Sequence, residues 1–152
     1  MPTGMEWALV ADAGRARVFE RRLPAGPWRE RTEDALEAAH PPSRDLGTDR
    51  PGRVRESATT ARHAVEPRTD PHRAAKAAFA ARLAGRLEDA SVSYERLLLA
   101  APPAFLGDLR EALGEAARRK LHGTLAKDLT HVPLAELAMH LDAAKTGSGI
   151  GA

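Results

Sequence analysis

Two neighbouring stretches of opposite patterning open the chain. Glu6-Trp-Ala-Leu-Val-Ala11 is apolar after its first residue and reads as a buried strand, while Arg15-Ala-Arg-Val-Phe-Glu-Arg21 alternates arginine with apolar side chains at the two-residue period of a second strand. Asp12-Ala-Gly14 between them suits a hairpin turn, because an Asp side chain hydrogen-bonds its own backbone there. A third strand is predicted from Trp28 to about Leu36, where Arg and Glu alternate with little apolar content, so it belongs at an edge. Asp70-Pro71 suits the start of a helix. Phe79, Leu83 and Leu87, four apart, put one apolar face on that helix as far as about Ala90. Tyr94-Glu-Arg-Leu-Leu-Leu-Ala-Ala101 is the clearest strand, of the kind buried on both faces in a parallel sheet, and Pro102-Pro103 ends it. Ala104 to about Arg118 reads as a helix and Lys120 to Ala126 as a strand. Pro133 to Ala144 reads as a last helix with Leu134, Leu137, Ala138 and Leu141 inward.

This order predicts an α/β fold. The N-terminal strands form an antiparallel meander, and the later strand–helix–strand unit needs a right-handed crossover, giving a mixed five-stranded sheet with helices packed on its faces. At 152 residues the chain suits one domain, taken as 1–146, with a disordered tail at 147–152. Residues 40–69 carry Pro41-Pro42, Pro51-Gly52 and Pro67 with few large apolar residues, which predicts a long irregular loop, a feature usually functional or mobile. Within it, Asp45-Leu-Gly-Thr-Asp-Arg-Pro-Gly-Arg-Val-Arg55 sets Arg50, Arg53 and Arg55 around a Pro-Gly turn. Guanidinium forks suit phosphate and carboxylate partners.

Composition narrows the chemistry. Apolar residues at 43% and charged residues at 29% are globular values. The absence of Cys removes disulfides, thiolate nucleophiles and sulfur-ligated zinc, and fits a reducing compartment. The N-terminus lacks a signal-peptide pattern and no segment approaches a bilayer-spanning length, so the expected location is cytoplasmic. Of 23 basic residues only Lys76, Lys120, Lys127 and Lys145 are lysines, yet the formal net charge is only +2. Residues 44–73 hold seven arginines against five acidic residues, too mild an excess to hold duplex DNA by charge alone.

The six histidines, at 40, 63, 72, 122, 131 and 140, include no pair at one-turn helical spacing, so no metal site and no cofactor are expected. No glycine-rich phosphate loop follows a strand, and no serine has a nucleophile-elbow context. Asp12, at the carboxyl end of the first strand, is the weak catalytic candidate: a metal-dependent nuclease would need it to converge with Asp108, Glu111 or Asp128. Its simpler role is the hairpin turn. Ala101-Pro-Pro-Ala-Phe-Leu-Gly-Asp-Leu-Arg110 follows the strongest strand, where open α/β sheets place ligands, and leaves Arg110 as its polar residue of interest.

Four segments in order, Leu9-Val-Ala-Asp-Ala-Gly-Arg-Ala-Arg-Val-Phe19, Asp49-Arg-Pro-Gly-Arg53, Ala101 to Arg110 and Lys127-Asp-Leu-Thr-His131, resemble the bacterial host-attachment protein family across nearly the whole chain. The resemblance implies a ribonuclease H-like fold similar to the central domain of archaeo-eukaryotic release factors. Those factors hydrolyse peptidyl-tRNA with a Gly-Gly-Gln tip, and this chain has no glutamine, which excludes that catalysis. What the resemblance leaves is binding: RNA or the ribosome as partner, with another protein as the alternative. Arg15, Arg110, Lys127 and His131 lie in these motifs and join Arg50, Arg53 and Arg55 as candidate binding residues.

Overall fold

Strand β1 (Met5–Ala11) pairs antiparallel with β2 (Arg15–Arg22) from Met5↔Arg22 to Ala11↔Ala16, closing the hairpin predicted around Asp12. The computed structural model describes residues 3–39 and 71–151, with side chains as far as Ala144. The expected third strand is two short ones, β3 (Arg29–Glu30) and β4 (Leu36–Glu37), both on β2 and separated by a 3-10 turn at Thr32–Asp34. The sheet therefore has six strands where the sequence predicts five.

After the undescribed stretch, which includes the proposed cap Asp70, helix α1 (Pro71–Asp89) leads into β5 (Arg96–Ala100), parallel to β1. The predicted helix from Ala104 to Arg118 is two helices, α2 (Pro103–Ala112) and α3 (Glu115–Lys120), because Leu113 turns extended, with ψ 138°, and buries its side chain. The Glu88 carboxylate accepts from the N–H groups of Ala116 and Ala117 at 3.2 and 2.9 Å and caps the second helix. Gly114 makes room for it: a Cβ there would sit 2.6 Å from Glu88 Oε1. Strand β6 (Leu121–Leu125) runs parallel to β5, giving the order β3-β2-β1-β5-β6 with β4 also on β2. Helix α4 (Leu134–Gly151) continues through the stretch predicted as a tail, since no proline after Pro133 interrupts its backbone ladder.

Alternation along the strands splits the core between the two faces. Trp7, Leu9, Val18, Leu97 and Leu99 pack under α1, α2 and α3 with Phe79, Leu83, Leu87, Phe105 and Leu109. Ala8, Val10, Phe19 and Leu98 pack under α4 with Leu137 and Leu141. The result is a mixed α/β single domain with helices on both faces. At the β2 edge, burial pushes the Glu20 carboxyl up, but its bonds to Arg29 and Arg31 outweigh that and hold it below the usual carboxylate range.

Tyr94 is the single tyrosine, so its titration is readable without interference. Its hydroxyl donates to the Leu87 carbonyl at 2.7 Å, and burial, with the Glu88 charge, pushes its pKa up to about 12. An unfolded tyrosine ionises near pH ~10. The folded chain thus binds the phenolic proton more tightly, and this contribution is whole below pH ~10 and lost as the pH rises through the folded value. Tyrosinate absorbance should be half-developed near pH 12 in the folded protein and earlier in urea; matching native and urea curves would refute a buried phenol.

Candidate functional site

The carboxyl ends of parallel strands β1, β5 and β6 form one edge of the sheet, the edge at which open α/β folds place ligands. At the end of β1, Asp12 Oδ1 accepts from the N–H groups of Gly14 at 2.7 Å and Arg15 at 2.9 Å, so one carboxylate oxygen is committed to the hairpin. Oδ2 of Asp12 lies 3.2 Å from Thr130 Oγ1, whose hydroxyl is also 2.6 Å from Asp128 Oδ1. A hydroxyl has one proton to donate, and the shorter contact has the stronger claim on it. Asp128 accepts the Thr130 N–H as well, at 3.1 Å.

These contacts carry the loop after β6, residues 126–133, across the end of β5 to the β1–β2 hairpin. Arg17 fixes it there. Its Nη1 donates to the carbonyls of Thr130 and Val132, both at 3.0 Å, while Nε and Nη2 grip the Glu30 carboxylate at 3.1 and 3.0 Å. Such a fork needs guanidinium geometry.

Three candidate binding residues meet at this edge. Arg15 is exposed as the first residue of β2, and Lys127 and His131 are exposed on the 126–133 loop. Arg110 does not join them: it lies in the last turn of α2, which starts at Pro103, and a rise of 1.5 Å per residue sets it back ~10 Å along the axis. Asp108 and Glu111 border a shallow hollow with Ala77 and Ala112 on the helical layer, apart from the Asp12–Thr130–Asp128 cluster. Among the described residues, no three His, Asp or Glu side chains come together as metal ligands.

Arg50, Arg53 and Arg55 lie outside the described residues, but the chain on either side of them is fixed. The Ala38 N–H donates to the Gly14 carbonyl at 3.0 Å, beside the Asp12 hairpin. Arg82 of α1 reaches the Glu37 carbonyl at 3.3 Å, and Ala38 and Ala39 share a hollow with Ala75 and Ala78. Ala38 and Ala39, the last described residues before that segment, therefore lie between the Asp12 hairpin and the first turns of α1.

The family model described as "Protein required for attachment to host cells" matches residues 7–141, from β1 into α4. The chain belongs to this family. No curated protein matches it. The family match takes in the Asp12 hairpin, Arg17 and the whole 126–133 loop, so the edge described above is family territory. Among the described residues, no helix of this host-attachment protein is long and apolar enough to cross a membrane. Sequence reasoning missed Arg17, Glu30 and Thr130. The only signal for Arg17 was its place among Arg15, Arg17 and Arg21 on one face of β2, which does not reveal the carbonyls it reaches from a loop more than a hundred residues away.

Proposed function

We propose that this host-attachment family protein is a non-catalytic binding module that meets the phosphates of RNA, free or within the translation machinery, through Arg50, Arg53 and Arg55. The observation that carries this reading is the common anchoring of that segment's two flanks beside exposed Arg15, Lys127 and His131. Phosphate contacts by such cations position a partner without reading its sequence, and base contacts from elsewhere would have to supply any specificity. The resemblance to the release-factor central domain supports a ribosomal setting and hence a cytoplasmic location.

Arg50→Ala with Arg53→Ala should weaken RNA and ribosome association and flatten its dependence on salt, by a slope of about two if each arginine neutralises one phosphate. Unchanged co-sedimentation with ribosomes across a salt series would sink the proposal. The family description favours a second reading, a protein–protein module that supports attachment to host cells, in which the exposed arginines meet an acidic partner. Cell fractionation separates direct from indirect attachment, because protein confined to the cytosol cannot touch a host surface.

A further inference from the structure

The two Trp, one Tyr and three Phe of the sequence all lie among the described residues, and all are built into the core: Trp7, Phe19, Trp28, Phe79, Tyr94 and Phe105, none more than 8% exposed. Three of them already carry an arginine over one face. The guanidinium groups of Arg17, Arg21 and Arg31 sit 4.9, 4.9 and 4.6 Å over Phe19, Trp28 and Trp7. Two pairs pack ring to ring, Trp7 with Tyr94 and Phe79 with Phe105, at centroid distances of 5.2 and 6.1 Å. The Tyr94 hydroxyl donates to the Leu87 carbonyl at 2.7 Å and Trp28 Nε1 to Asp142 at 3.4 Å. Turning any of these rings outward would open a close-packed core.

That arrangement bears on the kind of RNA the candidate edge can hold. Proteins that take single strands line successive bases along exposed aromatic side chains, each stacked base contributing about 1–3 kcal/mol. Here the edge presents Arg15, Lys127 and His131, while every Trp, Tyr and Phe is buried elsewhere. The His131 imidazole is one exposed ring, enough for one base and too little for a run of them. Reading of base edges is narrowed too, since the sequence contains neither Asn nor Gln, the side chains that bond adenine through a paired donor and acceptor. A loose strand must also be ordered on binding, and a chain of net charge +2 offers few phosphate contacts to offset that cost.

We infer, resting on the RNA reading of this edge, that the partner is double-helical RNA held through its phosphates and 2′-hydroxyls without readout of its bases. An A-form helix suits these side chains, because its wide, shallow minor groove presents 2′-hydroxyls and phosphates at fixed spacing and is recognised by shape. Its bases stay stacked on one another, so the protein needs no ring to receive them. Its strands are ordered before they bind, so few cationic contacts suffice.

The test is a fluorescence anisotropy titration of the full chain at low salt against three RNAs. These are a duplex of about 16 base pairs, the length a compact double-strand-binding domain spans, a second duplex of unrelated sequence, and a single strand of the same length that cannot pair with itself. The two duplexes should bind equally within about twofold, and at least about tenfold more tightly than the single strand. Arg15→Ala with Lys127→Ala removes two exposed cations from the edge and should lower the affinity for both duplexes by the same factor. A single strand bound as tightly as a duplex would mean that guanidinium or imidazole stacking replaces the buried rings, and would overturn the proposal while leaving RNA binding intact. A larger preference between the two duplexes, or unequal losses in the double variant, would overturn it by showing that bases are read. Failure to bind any of the three would sink the RNA reading itself, and this proposal with it.

Discussion

Arg21→Met should destabilise this protein by about 3–5 kcal/mol, the range for removing one partner of a buried ion pair. Glu6 on β1 and Arg21 on β2 are register partners, and both side chains are buried, 0% and 7% exposed. Arg21 Nε donates to Glu6 Oε1 at 3.0 Å, and Nη2 lies the same distance from that oxygen. The guanidinium also sits 4.9 Å over the Trp28 ring and 3.4 Å from Asp142 of α4, to which Trp28 Nε1 donates. Methionine restores much of the volume but leaves the Glu6 carboxylate buried without its guanidinium, and that desolvation is the main cost. The double variant Glu6→Leu with Arg21→Met should therefore recover most of the loss, as buried pairs replaced by apolar residues often do. Urea unfolding of the four-member cycle measures the coupling. A single-variant loss below about 1 kcal/mol would mean that water screens the pair; a double variant as unstable as Arg21→Met would place the cost in packing.

That pair also marks the limit of what the sequence discloses. β1 and β5 are legible because an unbroken apolar run such as Leu97-Leu-Leu99 fits burial on both faces of a sheet and little else. The Asp12 turn is legible because its chemistry is local, within three residues. β2 is legible as a strand, but Arg15, Arg17 and Arg21 on one face ordinarily signal a face in water. Here α4 and the 126–133 loop cover that face, and Arg17 and Arg21 are held by Glu30, two loop carbonyls and Glu6. The α2–α3 break was missed because what fixes it, the burial of Leu113 and the Glu88 cap from α1, is tertiary packing. The interrupted edge strand was missed for a similar reason, since Arg31 and Asp34, which close the 3-10 turn, read equally well as cross-strand charges. For the site, positions directly after strands were informative: Arg15 and Lys127 share an edge because both follow β1 or β6 in sequence. Arg110 failed that logic because a helix carries its residues back along the sheet.

The second large effect is expected at Arg17, and it tests whether the candidate edge depends on one side chain. Arg17→Ala removes two charge-assisted bonds to loop carbonyls and the bidentate grip on Glu30. Bonds to a charged group contribute about 1.5–3 kcal/mol each, but they are not additive, and the Arg17 side chain is 21% exposed. A total loss of about 2–3 kcal/mol follows after that discount. Arg17→Lys should recover little, because an ammonium is a point donor that cannot span Glu30 and two carbonyls at once. The loss should also be local. Amide exchange at Leu129, Thr130 and Val132 should speed up at least about tenfold through sub-global opening, while the β1 and β5 amides change only with global stability. Under the RNA-binding reading, Arg17 is a positioning residue: freeing the loop moves Lys127 and His131, so Arg17→Ala should weaken RNA association, while the salt slope keeps the contribution of Arg50 and Arg53. Uniform acceleration of exchange across sheet and loop would instead make Arg17 a general stabiliser of the β2 edge, and the loop would owe its place to the Asp12–Thr130 contact and the Leu129 packing alone.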